Sequence, residues 1–466
     1  MNTQHRIIIF LLLLFPTQIL ADEGVFSTEI DNIHSATLQN GLEVIVIEDH
    51  ALPIVTIEIA VHAGAYVEAP ENNGLSHLYE HMFFKGNEAI PDQSAYLARQ
   101  RALGMLWNGT TSDERVNYFF TLGSEQLCEG MTFMSNAIRT PLFKMIELER
   151  EREVVLGEFD RNEANPYFHL LNSVNQALFY AHPTRKDALG DRETVSTATV
   201  EQMEWFQQTF YIPNNAALFL AGDVTPDEGF SLAETLFGQW EAGPDPFIAN
   251  PPVVHPPLEV SSAHIVEQPV QIATAMIGWQ GPSVSEDPQG TFAADVFSFI
   301  VSQPAHRFQR TLVESGLTLS AGLSYYTQNN TGPIYLMLQM TPDNLEDILN
   351  LVRDEIERFD DPDYFTDAQL ETAKTLLAVS ELYSREQTTE WVHTVSFWWA
   401  VAGMDYYLDY VRNLQAVTRE DILTYLQTYI IDSPHILSLL VSPEINQELA
   451  LTPETSMEWL DGTSSE

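Results

Sequence analysis

Gly74-Leu75-Ser76-His77-Leu78-Tyr79-Glu80-His81-Met82-Phe83-Phe84 is the stretch on which the reading of the chain turns. On a helix, His77 and His81 stand one turn apart and share a face. Two imidazoles on one face suit a zinc ion, because a divalent metal needs converging lone pairs. Glu80 borders that face, where a carboxylate can take the proton of a metal-activated water. The bland alternative is a solvated helix with two unrelated histidines. The pattern is short, so the rest of the chain has to supply a further ligand.

On the N-terminal side of this stretch, residues 38–64 read as a hairpin. Asn40-Gly41 is a turn dipeptide; Val44 to Ile47 is an apolar β run that Pro53 interrupts and Ile54 to Val61 resumes. On the C-terminal side, Ala95 to Leu103 reads as a helix. Trp107-Asn108-Gly109-Thr110-Thr111 reads as a Thr-rich strand, either an ordinary member of a sheet or an edge able to pair with an extended peptide. Val116 to Leu122 follows as a strand and Glu125 to Ile138 as a helix. A long charged helix then runs from about Met145 to Glu163. It carries Glu149, Glu151, Glu153 and Glu158, with Glu151 and Glu158 two turns apart on one face. Most carboxylates on such a helix are simply solvated, but one of them is a candidate third ligand. Val195 to Tyr211 reads as one further helix, and Ala217 to Ala221 as a strand.

The net charge of −45 argues against nucleic-acid binding, since phosphate would be repelled. Arg6, the apolar run Ile7 to Phe15 and the small residue Ala21 follow the order of a secretory signal peptide, so residues 1–21 are set apart from the fold. Nothing after them is long and apolar enough to span a membrane. Cys128 is the single cysteine, which excludes an intramolecular disulfide. Export without disulfides fits the periplasm of a Gram-negative bacterium. Cys128 lies among Leu127, Met131 and Phe133 and is expected in a core.

Pro244, Pro246, Pro251, Pro252, Pro256 and Pro257 mark residues 243–257 as a stiff connector. It divides the mature chain into 22–242 and 258–466. The two parts resemble each other. Thr199-Val200-Glu201 with Gln208-Thr209-Phe210-Tyr211 returns as Thr418-Arg419-Glu420 with Gln427-Thr428-Tyr429-Ile430, each followed by a short apolar strand. Gly332 to Met340 mirrors Val116 to Leu122. The second part has no His-x-x-Glu-His. Duplication with loss of one site explains this, and two packed α+β halves could enclose a chamber with one metal.

These residues resemble the pitrilysin/insulinase-type zinc peptidases, which carry the inverted zincin motif, and in particular their mitochondrial-processing-peptidase-like bacterial subgroup. The resemblance covers roughly residues 30–445. It is carried by Gly74 to Phe84 with Lys85-Gly86, and by Glu149-Arg150-Glu151-Arg152-Glu153-Val154-Val155-Leu156-Gly157-Glu158. It implies an α+β fold of two homologous halves, each a mostly antiparallel sheet with helices packed on one side, forming a clamshell chamber. It also implies His77, His81 and Glu158 as ligands of one zinc ion, Glu80 as general base, Glu151 as a supporting acid and Asn108 as a substrate-binding residue. The implied chemistry is peptide hydrolysis.

One departure matters. Single-chain relatives carry an Arg and, seven residues later, a Tyr around a Gly-Leu pair in the second half. Here those positions fall on Leu312 and Leu319, with Arg310 and Tyr325 off register. The resemblance therefore implies a heterodimer in which a homologous subunit supplies the Arg/Tyr pair. The expected protein is a periplasmic zinc endopeptidase acting on peptides or unfolded segments. The alternative is a non-catalytic structural subunit of the same family, and a weaker one is a metal-dependent hydrolase of another kind.

Overall fold

The computed structural model describes residues 30–462. The expected signal peptide at 1–21 lies outside them. Among the described residues, no helix is long and apolar enough to cross a membrane.

Two sheets organise the molecule. The first contains β1 (Ile33–Thr37), β2 (Glu43–Glu48), β3 (Ile54–Val61), β4 (Leu106–Thr111), β5 (Val116–Gly123) and β6 (Ala216–Gly222), in the order β1-β2-β6-β3-β5-β4. The second contains β7 (Ser262–Glu267), β8 (Ala273–Gln280), β9 (Thr318–Tyr325), β10 (Pro333–Met340) and β11 (Ile436–Val441), in the order β7-β11-β8-β10-β9. Without β1, the first sheet repeats the second strand for strand. Each has one parallel pair, β2 with β6 and β7 with β11, and every other pairing is antiparallel. The repeated Thr motifs hold equivalent places, since Thr199 and Thr418 each cap a helix that leads into β6 or β11.

The hairpin expected at 38–64 is corrected. Asn40-Gly41 turns β1 into β2, with Gly41 at φ +89° and the Asn40 side chain accepting from Leu42 N at 3.2 Å. β2 and β3 do not pair, because β6 lies between them. The single helix expected over Val195 to Tyr211 is two. Thr199 forms a capping box with Gln202 and starts a new helix there. Cys128 is exposed, not in the core. Its helix buries Leu127, Met131 and Met134, which leaves residue 128 on the outer side.

The first core lies between one face of the first sheet and α1 (Leu75–Phe83), α2 (Gln93–Ala102), α3 (Leu127–Arg139), α4 (Met145–Glu163), and the later α7 (Val200–Phe210) and α8 (Pro226–Phe237). Between α4 and α7 run α5 (Pro166–Leu178) and α6 (Arg192–Thr197). The second core repeats the plan with its own helices.

The opposite face of each sheet is covered by a helix from the other half. Helix Thr388–Val401 lays Trp391, Val392, Val395 and Trp399 over Ile45, Ile47, Ala217 and Phe219. In return α5 lays Leu170, Val174 and Leu178 over Met276, Ile436 and Leu440. This exchange buries apolar surface between the halves and ties them together. Trp391→Ala, at a residue 2% exposed, is expected to cost about 3–5 kcal/mol, read as a lower urea midpoint.

Candidate metal centre

α1 starts where Gly74 turns the chain at φ +99°. A Cβ on Gly74 would meet Val195 Cγ2 at 2.7 Å and Gly190 Cα at 3.2 Å, so only glycine fits. The amides of the first turn are met by Glu68, which is 1% exposed. Its Oε2 accepts from Gly74 N at 2.7 Å, and its Oε1 accepts from Ser76 N at 2.6 Å. A carboxylate at a helix N-terminus is favoured by the helix dipole. Burial nevertheless raises the Glu68 pKa, against the pull of those hydrogen bonds. Leu75, Leu78, Tyr79, Met82 and Phe83 bury one side of α1. His77 and His81 remain on its other flank, half-covered.

α4 runs beside α1 and buries Leu148, Glu151, Val155 and Phe159. That stripe carries Glu158 to the histidines. Glu158 Oε2 stands 3.2 Å from His77 Nε2 and 3.7 Å from His81 Nε2. One donor atom from each of the three residues lies within 4.8 Å of the others, and among the described residues this is the one such group.

Glu151, two turns before Glu158 on the same face of α4, binds His81 Nδ1 through Oε2 at 3.2 Å and Lys85 Nζ through Oε1 at 2.7 Å. The His81 proton therefore belongs on Nδ1, and the Nε2 lone pair faces Glu158. His77 Nδ1 is buried toward the Leu189 carbonyl without a hydrogen bond of full geometry.

The electrostatics follow from this packing. The hydrogen bond from His77 holds Glu158 below the usual carboxylate range; burial opposes it, and His81, His77 and Arg161 assist. Burial would push the His77 pKa down, but the hydrogen bond to Glu158 and the nearby Glu80 and Glu158 charges outweigh it. Burial likewise works against ionised Glu151, yet the bonds from His81 and Lys85 prevail and its pKa falls.

The donor set fits zinc. Two donors about 2.1 Å from one ion at a tetrahedral angle stand about 3.4 Å apart. The 3.2 and 3.7 Å separations bracket that spacing. Two nitrogens and one carboxylate oxygen also leave a fourth position open, as in hydrolytic zinc sites.

Glu80, on the same helix, is bonded elsewhere. Its Oε2 accepts from Thr111 Oγ1 at 2.7 Å. Thr111 ends β4, the outer strand of the first sheet. Asn108 is exposed on that strand, and among the described residues no hydrogen bond links its side chain to His77, Glu80, His81 or Glu158. Leu312 is fully buried in the second core, and Leu319 is 56% exposed on β9. Arg310 pairs with Glu314 at 3.9 Å, and the Tyr325 hydroxyl donates to Pro282 O at 3.0 Å.

The sequence reading missed Glu68, Lys85 and Thr111. Lys85 is four residues beyond His81, a helical spacing that could have flagged it. Glu68 and Thr111 act across loops and strands, where spacing carries no signal.

Residues 43–192 match the model of the insulinase family of peptidases, M16, and residues 197–377 match that of the M16 peptidase inactive domain. An uncharacterized zinc protease of Rickettsia felis is 23% identical over 363 residues, 77% of this chain and 85% of that protein. The mitochondrial-processing peptidase subunit beta of Blastocladiella emersonii is 23% identical over 418 residues, 85% of each chain. The crystal structure of the periplasmic protease PqqL from Escherichia coli superposes with a TM-score of 0.75 at 17% identity, over 93% of this chain and 50% of that one. The two adjoining family matches, lying on a duplicated sheet of which only the first copy carries the inverted histidine motif, make this chain a member of the insulinase, or pitrilysin-type, M16 peptidase family.

Proposed function

We propose that the chain is the metal-site subunit of a zinc-dependent endopeptidase that cuts peptides or unfolded segments in the periplasm of a Gram-negative bacterium. The observation that carries this reading is the convergence of His77, His81 and Glu158 from two helices, with Glu80 on the same helix as the histidines. In this reading residues 22–242 are the metal-binding half, 243–257 the connector and 258–466 the second half. Residues 1–21 direct export, a location shared with the protein PqqL, whose structure is described as that of a periplasmic protease.

His77, His81 and Glu158 hold one zinc ion, with Glu151 fixing the His81 tautomer. A bound zinc supplies Lewis acidity, acidifying water and polarising a carbonyl. Glu80 takes the proton from the attacking water on Oε1, the oxygen that Thr111 leaves free, and returns it to the leaving amine. The peptide adds as a further strand to the open edge of β4, where Asn108 is exposed to meet it.

The partner is a homologous subunit that supplies the Arg and Tyr missing at Leu312 and Leu319. The buried Leu312 and the apolar Leu319 offer no donor for a developing oxyanion. The Blastocladiella relative is a peptidase subunit and this chain spans half of PqqL, which supports a two-unit enzyme. Purified alone, the chain is expected to bind one zinc and cleave peptides slowly. Co-expression with a homologous chain encoded nearby should raise kcat/KM by roughly 10²-fold or more, the scale of an oxyanion donor. Full activity alone removes the partner. Neither zinc nor cleavage, even with that chain present, removes the peptidase.

A further inference from the structure

We infer that Thr111 is a positioning residue that fixes the carboxylate of Glu80, so that the edge strand β4 both receives substrate and aims the base. This deepens the proposed function and rests on its reading of Glu80.

The contact is specific. Thr111 Oγ1 donates to Glu80 Oε2 at 2.7 Å, and among the described residues it is the one hydrogen-bond donor to that carboxylate. Gly109, two residues earlier, shares its strand face. A Cβ there would stand 2.9 Å from Glu80 Cγ and 3.2 Å from Oε1. The strand thus packs its backbone against the side chain at residue 109 and grips one carboxylate oxygen at residue 111. Trp107, on the same face, packs at a tilt of 36° against Phe84 at the end of α1, with ring centroids 4.5 Å apart. Three alternate residues of β4 therefore face the helix that bears the histidines.

The strand end is itself held. Directly after Thr111 comes the turn to β5, and the second half clamps it. Asp113 Oδ2 accepts from Gln328 Nε2 at 2.6 Å, and Glu114 accepts from Asn329 N at 2.7 Å and Asn330 N at 3.0 Å. Lys186 lies beneath, donating to Thr331 O at 2.9 Å. The Thr111 hydroxyl is therefore presented by a pinned hairpin. A glutamate has three side-chain torsions, and a base misplaced by about 1 Å can lose roughly 10²-fold in rate. Fixing Oε2 from the strand removes that freedom and leaves Oε1 for the proton.

The test compares Thr111→Val, which keeps the shape and removes the hydroxyl, with Thr111→Ser, which keeps the hydroxyl. Both are made in wild-type and Glu80→Gln backgrounds of the full chain, assayed with its partner. Thr111→Val is expected to lower kcat roughly 10- to 100-fold, with KM and zinc content unchanged. Thr111→Ser should recover most of the rate. In the Glu80→Gln background, Thr111→Val should have no further effect. In crystals of Thr111→Val, Glu80 should leave the position it holds in the wild type. An unchanged kcat in the valine variant, a serine variant as slow as the valine one, or an unmoved Glu80 overturns the inference. If the wild type cleaves no peptide, the endopeptidase reading fails separately, and the crystallographic comparison of Glu80 still decides the role of Thr111.

Discussion

Glu80→Gln lowers peptide hydrolysis by roughly 10²- to 10⁴-fold, the usual contribution of a general acid–base group, and leaves the zinc content at one ion per chain. The two halves of this expectation come from different contacts. The proposed zinc donors are His77, His81 and Glu158, whose atoms face each other, whereas Glu80 is held by Thr111. The amide oxygen of glutamine can still accept from Thr111, so the side chain keeps its place and loses only its basicity. A structural subunit without turnover would show no difference between wild type and variant. Steady-state cleavage of a fluorogenic peptide, with zinc measured in the same sample, separates the two.

Glu158→Ala should remove both zinc and activity. It deletes the one anionic donor of the set and leaves two imidazoles one helical turn apart, and hydrolytic zinc sites use three protein ligands. The loss should not unfold the protein, because α4 packs through Leu148, Glu151, Val155 and Phe159, and these remain. Zinc affinity of the wild type should also fall on acidification. Without metal, Glu158 raises the pKa of His77, after burial has pulled the other way, so a proton competes with the ion for Nε2. Protonated His77 cannot ligate, and binding weakens as pH drops through that pKa. Competition titrations with a zinc chelator at several pH values measure this. An alanine variant that keeps stoichiometric zinc contradicts the ligand assignment.

What the sequence made legible was short-range. His77, Glu80 and His81 sit at helical spacing, and Glu151 and Glu158 repeat at two turns, so both helices showed their faces before any contact was known. The duplication was legible because capping residues recur, Thr199 and Thr418 each opening a helix before an apolar strand. Strand order was not legible. Asn40-Gly41 announces a hairpin but not its partners, and the insertion of β6 between β2 and β3 depends on pairing over more than 150 residues. The same limit hid the exchange of α5 and helix Thr388–Val401, since amphipathic faces do not declare which sheet they cover. Cys128 was misplaced because the apolar residues near it lie on the neighbouring face of the helix. Glu68 and Thr111 reach α1 from a loop and from a strand, so only the folded chain brings them to the site.

Anomalous diffraction at the zinc edge, from crystals of the purified chain, tests the central assignment most directly. One peak should appear, about 2.0–2.2 Å from His77 Nε2, His81 Nε2 and a carboxylate oxygen of Glu158. A zinc-loaded crystal with no peak among these three side chains, or with its peak elsewhere, contradicts it.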